Sequence, residues 1–173
     1  LHLALTRPEQ VAGLVLVSTG ARLQIAEEIL NGLLHDFTNT LQLIADRAYG
    51  MVPAEALRQR YLEKMQEISP QVILDDFRAS QAFDLTAWLH QIRQPALVIC
   101  GRNDRLMSPQ GSRTLQAQLP NASLLEWEQA GHMVMLERPE EVTQAIVRFT
   151  LSLTKPGPAS VNSSTSGERH SRT

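Results

Sequence analysis

The sequence predicts an α/β layered fold built on a parallel sheet. Residues 11–19 (VAGLVLVST) and 95–101 (PALVICG) are nearly continuous apolar, β-branched runs without alternation, the pattern of strands covered on both faces. Around them apolar residues recur at helical spacing, so strands and helices alternate along the chain. Polar turn chemistry sits at the carboxyl end of the second run, where a parallel sheet opens its ligand crevice.

The elements follow in order. Residues 1–6 are short, apolar and rich in helix formers, and Pro8 marks a helix end or turn before the first strand. From Ala21 to about His90 no further strand run appears. Ile25, Ile29 and Leu33, then Leu41, Ile44 and Ala48, recur on helical faces. Pro53 opens a helix carrying Leu57, Tyr61, Met65 and Ile68, and Ser69-Pro70 opens the next, with Val72, Ile73 and Phe77 apolar. An ordinary crossover between parallel strands needs one helix, so this excess predicts an inserted helical subdomain. After the second strand, Ser108-Pro109 starts a helix with Leu115 and Leu119, which Pro120-Asn121 stops. Residues 122–128 form a weaker strand with Leu124, Leu125 and Trp127, and residues 130–132 a loop. The last helix runs from about Arg138 to Leu153 on a stripe of Val142, Ala145, Ile146 and Phe149, with Glu140 and Glu141 favouring its N-terminus. Beyond Thr154 the chain turns to Pro, Gly, Ser and Asn, the composition of a disordered tail.

Composition excludes several function classes. Of 173 residues, 16 are Lys or Arg and 18 Asp or Glu, a net charge of −2 that gives no basic footprint for nucleic acid. One Cys excludes a disulfide framework and a Cys-rich zinc site, and no spaced ligand cluster implies a metal. There is no Gly-rich phosphate loop, and no cofactor is expected. No apolar run is long enough for a membrane span and no signal peptide is visible, which together predict a cytoplasmic protein without membrane contact. Nothing in the sequence assigns an oligomeric state.

Two polar residues stand out by position. Asp104 follows the second strand by three residues, and His132 follows the next strand. Neighbouring parallel strands lie about 4.8 Å apart, so side chains on their C-terminal loops can meet. A carboxylate so placed can hold an imidazole tautomer and stabilise its charged form. Taken singly, an Asp after a strand is more often a turn or cap residue, and a lone loop His more often a surface or packing residue. Ser18 ends a strand without flanking glycines, Ser108 reads as an N-cap, and Cys100 reads as a small buried hydrophobe.

Residues 84–104 resemble the stretch leading to the acid of the α/β-hydrolase superfamily, and residues 130–141 (AGHMVMLERPEE) resemble its histidine loop and final helix. Residues 1–19 resemble the helix after the nucleophile and the strand that follows it. The resemblance implies the C-terminal part of an α/β-hydrolase fold, with Asp104 as triad acid, His132 as general base and the helical insert as a lid over the substrate pocket. It implies lid residues such as Phe37, Leu41, Met51 and Phe83 toward that pocket. The expected organisation is residues 1–20 as helix and core strand, 21–90 as lid, 91–153 as the core carrying acid and base, and 154–173 as tail.

One departure is large: the chain contains no Gly-x-Ser-x-Gly, and the oxyanion-hole loop is absent. With Leu rather than Met first, the sequence reads as a fragment whose nucleophile lies just upstream of Leu1. The implied substrate is a small ester, lactone or related acyl compound, and the fragment alone is expected to be inactive. Carbon–carbon hydrolases, dehalogenases, epoxide hydrolases and haloperoxidases share the fold, as would a non-catalytic binding module, and the nucleophile would discriminate among them. An open sheet edge at 11–19 predicts poor solubility of the isolated piece.

Overall fold

The computed structural model describes residues 1–50 and 55–154. The expected helix start at Pro53, the pocket residue Met51 and the tail beyond Thr154 lie outside them. Three strands, β1 (Leu14–Val17), β2 (Ala96–Gly101) and β3 (Ala122–Trp127), form a parallel sheet in the order β1-β2-β3. Leu14 lies opposite Ala96, and Ala96 opposite Ala122.

β2 is the central strand and all six of its residues are buried. Its side chains alternate between faces, as a pleated strand requires. Ala96 and Val98 pack with Leu115 of α6 (Pro109–Gln118), Leu119 and the neighbouring Leu14, Leu16 and Leu124. Leu97 and Ile99 pack with Ala130, Val134 of α7 (Val134–Glu137) and Val142 and Ala145 of α8 (Pro139–Leu153). Each large aliphatic side chain so buried contributes about 1.5–3 kcal/mol. A short opening helix, α1 (His2–Thr6), adds Ala4 to the first of these faces.

β1 departs from the expectation of a strand covered on both faces. It is four residues long, and Val15 is 37% exposed. Among the described residues β1 pairs with β2 alone, and the apolar stripe of α8 meets it at Gly13, which touches Phe149 and Leu153. The strand ends at Ser18, whose φ of 46° takes the backbone into the left-handed region.

Between β1 and β2 stand four helices: α2 (Glu27–His35), α3 (Phe37–Ala48), α4 (Glu55–Gln66) and α5 (Pro70–Ala82). They build a core of their own from Ile29, Leu33, Leu41, Ile44, Leu62 and Ile73, among others. Arg47 pairs with Glu28 at 2.6 Å, tying α3 to α2, and Arg58 with Asp46 at 2.7 Å, tying α4 to α3. Two expected helix faces hold in part, with Ile73 and Phe77 of α5 and Tyr61 and Met65 of α4 packed on the helical core. On α5 Val72 is 50% exposed while Leu74 is buried, and on α4 the buried residue is Leu62, with Tyr61 and Met65 packed beside it. Both ends of the 21–90 span pack with the sheet, through Ala21 and through Leu89 of a 3-10 turn (Thr86–Gln91). Ser108 caps α6 as its sequence suggested, accepting the Gln110 N–H at 3.3 Å.

Candidate active site

The two loops that leave β2 and β3 at their carboxyl ends are laced together. Arg102 N–H donates to the Trp127 carbonyl and Asn103 N–H to the Ala130 carbonyl, each at 2.9 Å. These bonds extend the sheet ladder past its last residues and set the two loops side by side. Asp104 and His132 therefore meet, with His132 Nδ1 2.9 Å from Asp104 Oδ2.

Asp104 carries more than this contact. Its Oδ1 accepts the backbone N–H of Leu106 at 2.9 Å and of Met107 at 2.7 Å. One oxygen of the same side chain thus closes the turn and the other faces the imidazole. The Asp104 side chain is 1% exposed and that of His132 24%. With Nδ1–H donating to the carboxylate, the His132 Nε2 lone pair is the one left to accept a proton.

Beside His132 lies a cavity of about 390 Å³ between the strand ends and the helical layer. Its apolar wall comes from Leu23, Ile25, Ile29, Phe77, Leu106 and Met107, with Arg47, Arg105, Asp76 and Ser80 adding polar groups. Three of the four residues expected to line it, the described ones, do not. Leu41 is fully buried in the helical core and Phe37 packs against that core, while Phe83 follows α5 and is absent from the wall. The layer meets the cavity instead through the segment before α2, through Ile29 of α2 and Arg47 of α3, and through α5.

The other candidates sit apart from this pair. Cys100 is buried in β2, and burial pushes its thiol up to about 11. Ser108 is the α6 cap. Ser18 borders the cavity, yet its Oγ is buried with no hydrogen-bond partner among the described residues. Among the described residues no three His, Cys, Asp or Glu side chains gather as a metal site, and no helix is long and apolar enough to cross a membrane.

Sequence reasoning missed the support around the pair. α7, a single turn after His132, falls between the loop at 130–132 and the helix from Arg138 that the sequence suggests, and its last residue Glu137 accepts two backbone N–H groups, from Gly131 at 2.8 Å and Gly50 at 3.0 Å. Arg105 donates to the Asp46 carbonyl at the end of α3. No local pattern in the sequence signals either contact, because the partners lie 87 and 59 residues away.

Comparison with known proteins agrees with this architecture. A pimeloyl-[acyl-carrier protein] methyl ester esterase of Stenotrophomonas maltophilia is 28% identical over 170 residues, covering 88% of this chain and 65% of that protein. The protein of the same name from Nitrosomonas europaea is 29% identical over 157 residues, covering 82% of this chain and 62% of that one. A solved thermophilic esterase superposes with a TM-score of 0.79 at 29% identity, over 88% of this chain and 61% of its own. An enol-lactonase from Burkholderia xenovorans LB400, at 22% identity and a TM-score of 0.78 over 86% of this chain and 60% of its own, shares the fold. The chain spans under two thirds of the length of each of these relatives. The sequence model of the alpha/beta hydrolase fold matches residues 1–139, a stretch that holds the sheet, the helical layer and both members of the Asp104–His132 pair, and the chain belongs to that family.

Proposed function

We propose that this chain carries the acid and the base of an ester-hydrolysing site whose nucleophile, a serine, and oxyanion hole are supplied by a longer protein. The observation that carries the reading is the 2.9 Å contact between a buried, doubly anchored Asp104 carboxylate and a His132 that borders the cavity. The esterase names of the similar proteins support the reaction class.

His132 Nε2 takes the proton of the attacking hydroxyl as its oxygen bonds to the acyl carbon. Asp104 Oδ2 holds the Nδ1–H and faces the imidazolium that results. The same Nε2–H then protonates the leaving alcohol, and a water deprotonated by His132 releases the acid and the free serine. The helical layer acts as the lid, and its apolar wall receives the acyl or alcohol group of a small-molecule ester.

The test compares residues 1–173 with the longer protein that this reading requires, on an activated short-chain ester. The longer protein turns over, its His132→Ala variant loses at least about 10³-fold in kcat, and residues 1–173 are inert. Hydrolysis by residues 1–173 that His132→Ala abolishes would place the nucleophile inside the chain. Full activity of His132→Ala in the longer protein would end the reading altogether.

A further inference from the structure

The C-terminal end of α3 is capped by the two site loops rather than by its own chain. A helix leaves its last carbonyls without intrahelical donors. Here the Asp46 carbonyl receives Arg105, the neighbour of Asp104, and the Ala48 carbonyl receives the backbone N–H of Met133, the neighbour of His132, at 2.9 Å. Gly50 N–H, the donor that would continue the helical pattern to Asp46, turns instead to Glu137 Oε2 at 3.0 Å. Glu137 Oε1 takes the Gly131 N–H, directly before His132, at 2.8 Å.

One carboxylate therefore holds two backbone segments 81 residues apart, Gly50 at the foot of the helical layer and Gly131 at the base of the His132 loop. The segments touch closely. A methyl group on either glycine would run into the backbone of the other, so this approach excludes any larger residue at both positions. Hydrogen bonds to a charged acceptor are about twice as strong as neutral ones, and two from rigid backbone fix the carboxylate as a clamp. Tyr49 beside it is buried, and its phenol is pushed above the usual range by that burial and by the Glu137 charge.

The geometry points to Glu137 as a positioning residue that sets the His132 loop against the foot of the lid, so that lid placement and imidazole orientation are one coupled variable. The inference takes the reading of His132 as the base for its premise. Glu137 touches neither the cavity wall nor the Asp104–His132 contact, and acts through Gly131.

Glu137→Gln keeps the shape and removes the clamp. An amide offers one acceptor, and its NH₂ then faces the second backbone N–H. In ¹⁵N–¹H spectra of the longer protein, the Gly131 and Gly50 amides shift upfield and lose at least about 10-fold in exchange protection. The His132 Nδ1–H resonance moves with them, while Glu140→Gln, an exposed control in the first turn of α8, leaves all three unchanged. Amides that stay in place in Glu137→Gln overturn the clamp. Amides that move while the His132 proton does not reduce Glu137 to a packing role. Should Glu137→Gln not fold, scalar couplings across the two N–H···carboxylate bonds in the unaltered chain decide, and their absence overturns the proposal. In the longer protein, Glu137→Gln lowers kcat about 10-fold with KM little changed. No hydrolysis by that protein, with the amide and imidazole shifts intact, defeats the esterase reading and leaves the clamp standing.

Discussion

Replacing Asp104 by Ala and by Asn separates what its two oxygens do. Ala leaves three donors without an acceptor: the N–H groups of Leu106 and Met107 and the His132 Nδ1–H. A buried unpaired donor costs about 1–3 kcal/mol. Leu106, Met107 and His132 are each only partly buried, so all three donors fall at the low end of that range and the expected loss is about 3 kcal/mol. Asn places its carbonyl oxygen at the Oδ1 position and keeps both amide bonds. Its NH₂ faces the imidazole, which must then offer a lone pair at Nδ1 and carry its proton at Nε2, a neutral contact worth about 1 kcal/mol less than the charged one. Urea unfolding of the longer protein, followed by circular dichroism, measures both variants. If Ala and Asn unfold within about 1 kcal/mol of each other, the two amides do not depend on this carboxylate and the anchored-acid account is refuted.

Two further substitutions probe the strand ends. Ser18 combines a left-handed φ with a buried, unpartnered hydroxyl, each worth about 1–3 kcal/mol of destabilisation, against about 0.5–1 kcal/mol for the added freedom of an unfolded glycine. Ser18→Gly is therefore expected to raise the urea midpoint, by about 1–2 kcal/mol in stability, and a lowered midpoint would show that the strand end depends on the Ser18 side chain. Cys100 titrates near 9 in the unfolded chain and near 11 when buried. The folded state keeps its proton where the unfolded state loses it, so this contribution is full below about pH 9 and is lost as pH rises toward about 11, with a slope of up to about 1.4 kcal/mol per pH unit. Cys100→Ala lacks that component. Equal pH slopes for the two proteins over this window would refute the burial argument.

Much of the sheet and the pair was legible because local chemistry and tertiary role coincide. Residues 95–101 are unbroken apolar and form the strand buried on both faces. Asp104 follows a strand-end Gly in turn chemistry, and the turn itself aims its second oxygen at His132. What was not legible depends on distance in the chain. Leu41 and Phe37 have the composition of pocket residues, but which face of a helix meets a neighbour is settled by all four helices together, and here the shared core takes them. Val15 is as apolar as its neighbours Leu14 and Leu16, and only its place on a strand paired on one side exposes it. Glu137 resembles any acid near a helix N-terminus until Gly50 is brought beside it.

The lacing of the two strand-end loops has a consequence for variation. The separation of Asp104 and His132 is gauged by the spacing of β2 and β3, not by the helices above them. Changes across α2 and α5 can thus reshape the cavity without altering that gauge, whereas a one-residue slip of β3 against β2 would dismantle it. On the proposed function, chemistry and selectivity would occupy two blocks of the same chain that can drift at different rates. Where the blocks meet, at Gly50, Gly131 and Glu137, a change on one side would require an answering change on the other.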